Sequence, residues 1–250
     1  NDFWEYDPAE NRWYRKKNYP REVHFAVGFA IGGKGYVGAG LIAQEINTPC
    51  ADYPVSPNFH EFDPNAGPID NETGVPEGTW TQKASTPQGE SDHPPSCRVS
   101  SRAVGFALEI SPGNWKGYIA GGADSNLYEF DPDAGNIDPQ TGLPTGEWKG
   151  WASTGVVWPT PENLRESMTV FTIGNSAYLG LGRSDTNGDL LAEFWKLEPG
   201  EDYRWTRLAD FGGTPRELAT GFAIGKKGYA GTGQNFQDLA DFWEYTPEEN

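Results

Sequence analysis

Short apolar runs recur along the chain, each about the length of one β-strand, with Gly, Pro, Asn and Asp between them. Val27-Gly28-Phe29-Ala30-Ile31 aligns with the runs at 104–108, 169–173 and 220–224. Each is followed by a glycine-rich phrase, at 34–40, 116–122, 176–182 and 227–233, in which Tyr36, Tyr118, Tyr178 and Tyr229 hold one place. A third phrase is aromatic and acidic. It reads Phe3-Trp4-Glu5-Tyr6-Asp7-Pro8 and returns from 59, 127, 194 and 242. A lone tryptophan follows the first four copies: Trp13, Trp80, Trp148 and Trp205. Apolar and aromatic runs bounded by turn formers predict strands. Gly32-Gly33 and Gly225-Lys226 sit where a tight hairpin joins the first two. No window sustains a 3.6-residue apolar period, so almost no helix is expected.

The unit therefore has four strands and recurs every 48 to 68 residues, the mark of a repeat architecture. Four short strands with Gly-Gly or Gly-x-Gly, a tyrosine and a lone tryptophan at fixed places resemble the kelch repeat, over nearly the whole chain. The resemblance implies an all-β fold, a kelch-type β-propeller of four-stranded antiparallel blades around a channel. The glycine-rich phrase would be the second strand, the aromatic phrase the third, and the lone tryptophan the outer fourth. Aromatic content of 14% against 36% hydrophobic suits blades that pack face to face on flat rings.

One domain, 1–250, is expected, with blades at about 21–85, 97–152 and 165–208 and partial blades at 1–15 and 216–250. Rings of this family usually have more blades. The chain starts and stops on a third strand, which favours an incomplete ring, a fragment of a larger one. The rival is a small ring in which the strand around Trp13 completes the last blade.

Nineteen basic against 36 acidic residues give a net charge of −17. That disfavours nucleic acid and anionic membrane surfaces, whose phosphates call for Lys and Arg. It favours cationic partners, metal ions or simple solubility. No apolar run nears a membrane span. The chain opens Asn1-Asp2-Phe3 without Met or a signal-like segment, which reads as a processed or excised product. The composition suits an exported bacterial protein: extracellular, cell-surface or periplasmic.

Within the implied blade, Cys50 lies between second and third strands and Cys97 enters the next unit. Those loops share one side of the disc, so a Cys50–Cys97 disulfide is expected, consistent with an oxidising compartment. Two unrelated thiols, or a zinc site with His93, are the alternatives.

An arginine precedes each first strand: Arg21, Arg98, Arg165 and Arg216, with His24, Arg102, Glu166 and Glu217 nearby. Because the first strand is innermost in kelch-like rings, these side chains would line the channel mouth. They would bind a carboxylate or polyhydroxylated ligand bidentately, or else lock each blade to its neighbour. Matching insertions follow the third strand. They carry Asp63 and Asp70 in one unit, and Asp131, Asp133 and Asp138 in the next. Their spaced oxygens, and those of Asp185, Asn187 and Asp189, vaguely resemble calcium loops. Asx turns explain the same residues without a cation. No cofactor is expected, calcium aside.

Catalytic motifs are scarce. The three histidines lie in separate repeats, and no nucleophile elbow or phosphate loop appears. The expectation is a non-catalytic binding module that recognises a protein or glycan through one loop face. That face would gather residues 41–58, 183–191 and 234–240 with the connections at 88–96 and 159–163. The resemblance leaves two alternatives, a sugar-acid mutarotase-like enzyme and a structural subunit of a larger surface assembly.

Overall fold

The computed structural model describes residues 1–42, 56–87, 102–122, 127–150, 165–184, 186–200 and 203–248. The described residues form strands and turns without helix, in four antiparallel blades of a β-propeller. A hairpin of β1 (Phe3–Asp7) and β2 (Arg12–Lys16) comes first. Blade 1 runs β4 (Val27–Ile31), β5 (Lys34–Gly38), β7 (Phe59–Asp63) and β8 (Thr79–Lys83) from axis to rim. Blade 2 is β9 (Val104–Ser111), β10 (Asn114–Ala120), β11 (Leu127–Asp131) and β12 (Glu147–Gly150). Blade 3 is β14 (Thr169–Ile173), β15 (Ser176–Gly180), β17 (Phe194–Glu198) and β18 (Arg204–Arg207). Blade 4 has three described strands, β19 (Thr220–Ile224), β20 (Lys227–Gly231) and β21 (Phe242–Tyr245). The four sequence phrases thus fall on the four strands in order.

Period-two alternation gives each blade two working faces. On one, the first-strand Phe stacks on the second-strand Tyr: Phe29 on Tyr36, Phe106 on Tyr118, Phe171 on Tyr178 and Phe222 on Tyr229, with centroids 5.1 to 5.6 Å apart. On the other, the second strand offers Gly or Ala to the ring arriving from the preceding blade. A Cβ on Gly117 would lie 2.1 Å from the Phe29 ring, and one on Gly228 would lie 2.1 Å from Phe171. At those two joints a ring is seated on bare backbone.

At the rim a second device repeats. Phe59 meets Phe130 and Trp148 of blade 2 edge-on, at 5.1 and 5.0 Å. The Trp148 Nε1–H donates to Ala84 O at 3.0 Å. The insertion of blade 2 straps the same joint: Ala84 N donates to Thr145 O at 2.8 Å and Lys83 Nζ to Pro144 O at 2.9 Å. The β1–β2 hairpin repeats the arrangement on blade 1. Phe3 meets Phe62 and Trp80 at 4.9 and 5.0 Å, Trp80 Nε1–H donates to Lys17 O, and Lys16 Nζ donates to Pro76 O. The hairpin is therefore the rim half of a blade, packed as third and fourth strands are elsewhere.

First strands of successive blades line a central cleft of about 420 Å³, walled by Phe29, Phe106, Phe171 and Phe222. Among the described residues no helix is long and apolar enough to cross a membrane.

Candidate binding face at the axial collar

At one end of the axis, in blades 1, 3 and 4, the chain segment entering the first strand crosses the segment leaving the second. In blade 1 the crossing is a two-residue ladder of β3 (Val23–His24) with β6 (Leu41–Ile42), and in blade 3 of β13 (Arg165–Glu166) with β16 (Arg183–Ser184). In blade 4 it is a bridge between Glu217 and Gln234. The crossing is too tight for a side chain. A Cβ on Gly40, Gly182 or Gly233 would lie 2.4 to 2.6 Å from the carbonyl oxygen of His24, Glu166 or Glu217. These glycines have φ of 80 to 92°, where other residues are strained.

Just before each first strand one non-glycine residue takes the left-handed conformation: Phe25, Arg102, Ser167 and Leu218, with φ of 55 to 62°. Backbone bonds chain them across blades. Ser167 N donates to Arg102 O at 2.8 Å, and Leu218 N donates to Ser167 O at 3.1 Å. Strained residues tied together by hydrogen bonds across two joints stiffen this collar, and strain of this kind clusters at functional sites.

The arginines do two different jobs there. Arg165 and Arg216 are fully buried, so neither reaches the mouth. Each clamps the residue preceding its own third strand. Arg216 binds Asp241 bidentately at 2.6 and 2.7 Å, donates to Thr214 O and Thr232 O, and lies 4.9 Å from the Phe211 ring. Arg165 pairs with Glu193. Arg21 holds the equivalent Asn58, whose side-chain oxygen accepts from Nε at 2.6 Å and Nη2 at 3.2 Å in the amide orientation that satisfies both groups. Of the expected channel-lining ring, Arg165 and Arg216 are thus buried clamps within their own blades, and Arg21, itself exposed, holds Asn58 in the same way. The ring's Arg98 member lies outside the described residues.

A second set faces outward and crosses joints. Arg102 donates to Glu166 at 2.8 Å and stacks over Phe25 at 5.2 Å. Arg183 grips Glu217 through Nε at 3.0 Å and Nη2 at 2.5 Å, and Gln234 adds a bond at 3.2 Å. These bonds hold the Glu217 carboxyl below the usual carboxylate range despite its burial. Charge at the collar therefore alternates, so the arrangement suits a surface with both apolar and ionic groups more than a free anion. Around it Phe25, Leu218 and Phe236 are exposed. Phe236 is 95% exposed on a pinned tip. Asn235 N donates to Gln237 O, Leu239 N donates to Gly233 O, and Asn235 Nδ2 donates to Pro215 O at 2.7 Å. His24 is exposed and its ring contacts Phe25.

The oxygens suggested for calcium are engaged locally. Asp70 Oδ1 accepts from Glu72 N, Thr73 N and Thr73 Oγ1, and Asp138 Oδ1 accepts from Gln140 N and Thr141 N. Asp131 accepts from Asp133 N through Oδ1 and pairs with Lys116 at 2.6 Å through Oδ2. Asn187 and Asp189 bond one another in a closed turn. No three His, Cys, Asp or Glu converge as metal ligands among the described residues. Asp185, Cys50, Cys97 and His93 lie outside the described residues.

Sequence reasoning missed Phe25 and Leu218, and it included Arg183 and Phe236 only as members of the expected loop face at 183–191 and 234–240 without singling them out. The first three follow from the crossing once the left-handed residue marks its register, whereas Phe236 owes its exposure to a turn that no spacing announces.

No protein-family model matches the chain, and no curated protein matches it. Among solved structures it is similar to one described as "Structure of YjhT", with a TM-score of 0.64 and 14% identity over 100% of this chain and 74% of that one. At that identity the likeness concerns the fold, and it places the chain among β-propellers.

Proposed function

We propose that the protein is a non-catalytic binding module of the kelch type, which engages a polypeptide partner through the collar end of its axis. The observation that carries this reading is Phe236, held almost wholly exposed on a hydrogen-bonded tip that bridges back to Glu217, at the end of the axis that also carries the exposed Phe25, Arg102 and Leu218. Rigid aromatic side chains next to an arginine are the chemistry of interface hot spots. Their cost on binding is small because the backbone is already fixed. The paired Arg102–Glu166 and Arg183–Glu217 would form a polar rim that sets orientation and rejects poorly matched surfaces. The acidic, lysine-poor composition supports an exported or cell-surface setting.

The test is affinity capture by the whole chain against two variants, Phe236→Ser and Arg102→Glu. A partner retained by the parent and lost from both variants supports the reading. Capture unaffected by either substitution sinks it. A glycan array and a sugar turnover assay run on the same preparation address the glycan and enzyme alternatives, and conversion of any sugar would overturn the non-catalytic assignment.

A further inference from the structure

Blade 2 departs from the repeat at the hairpin joining its first two strands. In blades 1, 3 and 4 two residues make that turn: Gly32-Gly33, Gly174-Asn175 and Gly225-Lys226. In blade 2, Leu108 pairs with Lys116 as Ile31 pairs with Lys34, yet the strands run on to Ser111 and Asn114 before turning. The extension places Trp115 where blade 1 has Gly33. A register shift between Asn114 and Trp115 marks a bulge, a device that re-aims a side chain. The hairpin is also braced against blade 3. Glu109 N donates to Asn175 Oδ1 at 2.8 Å, Asn175 Nδ2 donates back to Glu109 O, and Gly113 N donates to Glu109 Oε1 at 2.7 Å. Trp115 itself stays exposed. An indole left in water on a braced insertion answers to no need that the other three blades share, and insertions peculiar to one repeat are where binding concentrates.

Trp115 lies two residues before Gly117, on the side of the strand that faces blade 1. There it borders the axial cleft and a cavity of about 280 Å³, set at the end of the joint opposite the collar. The cavity floor is polar and fixed. Glu61 is buried and accepts from Lys34 Nζ at 2.5 Å and Tyr36 Oη at 2.9 Å, with Lys83 Nζ 3.0 Å away. Lys83 also donates to Pro144 O at 2.9 Å. Asp133 adds a second carboxylate to the lining, exposed and without a side-chain partner among the described residues. Ile31, Leu143 and Trp115 supply apolar wall. Lys34 and Lys83 against Glu61 and Asp133 leave the lining without net charge, in a chain of −17.

That combination narrows the ligand. A balanced lining offers a small anion or cation no net attraction. A wholly apolar molecule would strip water from Lys34 and Asp133 and give nothing back. A pyranose ring suits both halves of the site. Its C–H face lies flat on an indole, and its hydroxyls, each donor and acceptor, answer an ammonium and a carboxylate. We propose that this cavity binds one neutral pyranose ring, stacked on Trp115 and hydrogen-bonded by Lys34 and Asp133. The site is at the opposite end of the axis from the collar, so it stands independently of the polypeptide reading.

Saturation-transfer NMR on the whole chain tests this, with the methyl glycosides of glucose, galactose, mannose and N-acetylglucosamine as probes. At least one should bind, with saturation strongest on the ring hydrogens of one face. Trp115→Ala should weaken that binding by about tenfold or more, the loss expected of an aromatic anchor. Asp133→Ala, at an exposed carboxylate, should weaken it by about fivefold. An oligosaccharide ending in the same ring that binds more tightly than its methyl glycoside assigns a glycan terminus, and equal binding assigns the free sugar; either supports the site. Should Trp115→Ala fail to fold, Asp133→Ala decides alone. Absence of binding by all of these probes overturns the proposal. So does binding that is unchanged in whichever of the two variants folds. A preference for glucuronate or glucosamine over the neutral rings overturns it as well, because the site would then be selecting charge.

Discussion

The joint between blades 1 and 2 and the joint between blades 3 and 4 are built from one plan, and they differ at the rim. Both seat a first-strand phenylalanine on a second-strand glycine, Phe29 on Gly117 and Phe171 on Gly228. Among the described residues, only the first is sealed outside by a tryptophan, Trp148, and strapped by an insertion. At the second, a cavity of about 260 Å³ walled by Phe194, Phe211, Trp243 and Tyr245 lies at the corresponding place. Blade 4 keeps the common register without the plug. The axial knob therefore sets how blades align, and the rim plug adds burial. Tryptophan is the natural plug because one side chain offers a large flat area and a single N–H that the preceding blade's carbonyl can satisfy.

The largest expected effect removes the plug where it exists. Trp148→Ala empties a contact with Phe59 and Phe130 and should cost about 3–5 kcal/mol, measured from urea midpoints by near-ultraviolet dichroism. Trp243→Ala, at a half-exposed ring beside the open cavity, should cost markedly less. Equal losses would show that the two joints do not differ in the way described. Arg216→Ala should cost less, about 1.5–3 kcal/mol, because it removes a fully buried guanidinium and its charge-assisted hydrogen bonds while Asp241, partly exposed, keeps its solvent. Arg102→Ala, whose ion pair is exposed, should cost no more than about 1 kcal/mol.

Next in size is a matched pair of glycine substitutions. Gly117→Ala puts a methyl group into the Phe29 ring and should destabilise by about 1–3 kcal/mol. Gly35 holds the same place on blade 1, where the axial side has no described neighbour, and the nearest atom to an added Cβ is Phe62 Cβ at 3.7 Å. Gly35→Ala should stay within about 0.5 kcal/mol of the parent in the same melt. A large loss at Gly35 would mean that something covers that face in solution.

Much of this was legible in the chain because the devices are local and repeated. The Phe, Gly and Trp positions recur at fixed offsets, so the strands were read from the pattern and their order within a blade from the kelch resemblance. The arginines were harder. Read as one column, Arg21, Arg165 and Arg216 seemed to converge on the channel. The left-handed residues Phe25, Ser167 and Leu218 set the true register, in which Arg21 stands four places ahead and the other two stand two places ahead. The signal available was the residue before each third strand: Asn58, Glu193 and Asp241 each offer an oxygen to the clamp. The insertion aspartates were ambiguous for a deeper reason. An oxygen aimed at backbone N–H groups and one aimed at a cation call for the same short acidic side chains near a bend, and only coordinates separate them. Phe236 was expected only as one residue of the loop at 234–240, since its exposure is a property of the turn.

The smallest effect tests the rim plug of blade 1 through protons. His60 packs edge-on to Tyr19 at 5.2 Å, with its Nδ1 3.1 Å from the Tyr19 hydroxyl. Burial, helped by Arg21, lowers its pKa below the ordinary 6.5. The unfolded chain therefore takes up a proton that the folded one refuses, so stability should fall as pH drops through 6.5 toward the folded value. The carboxylates act in a lower window. Burial pushes Glu61 up, but its bonds to Lys34, Lys83 and Tyr36 outweigh this and leave it below the ordinary 4.5. Arg183 lowers Glu217 likewise. Their stabilisation is present above that ordinary value and is lost as pH falls below it. The other aromatic phrases carry Trp4, Tyr128, Trp195 and Trp243 where blade 1 has His60, so His60→Tyr is a substitution the repeat itself accommodates. In that variant the urea midpoint should stay level from pH 7 to the carboxylate window and then fall as in the parent. A slope near pH 6 that persists in His60→Tyr would assign the titration to another group and remove blade 1's histidine from the account of its rim.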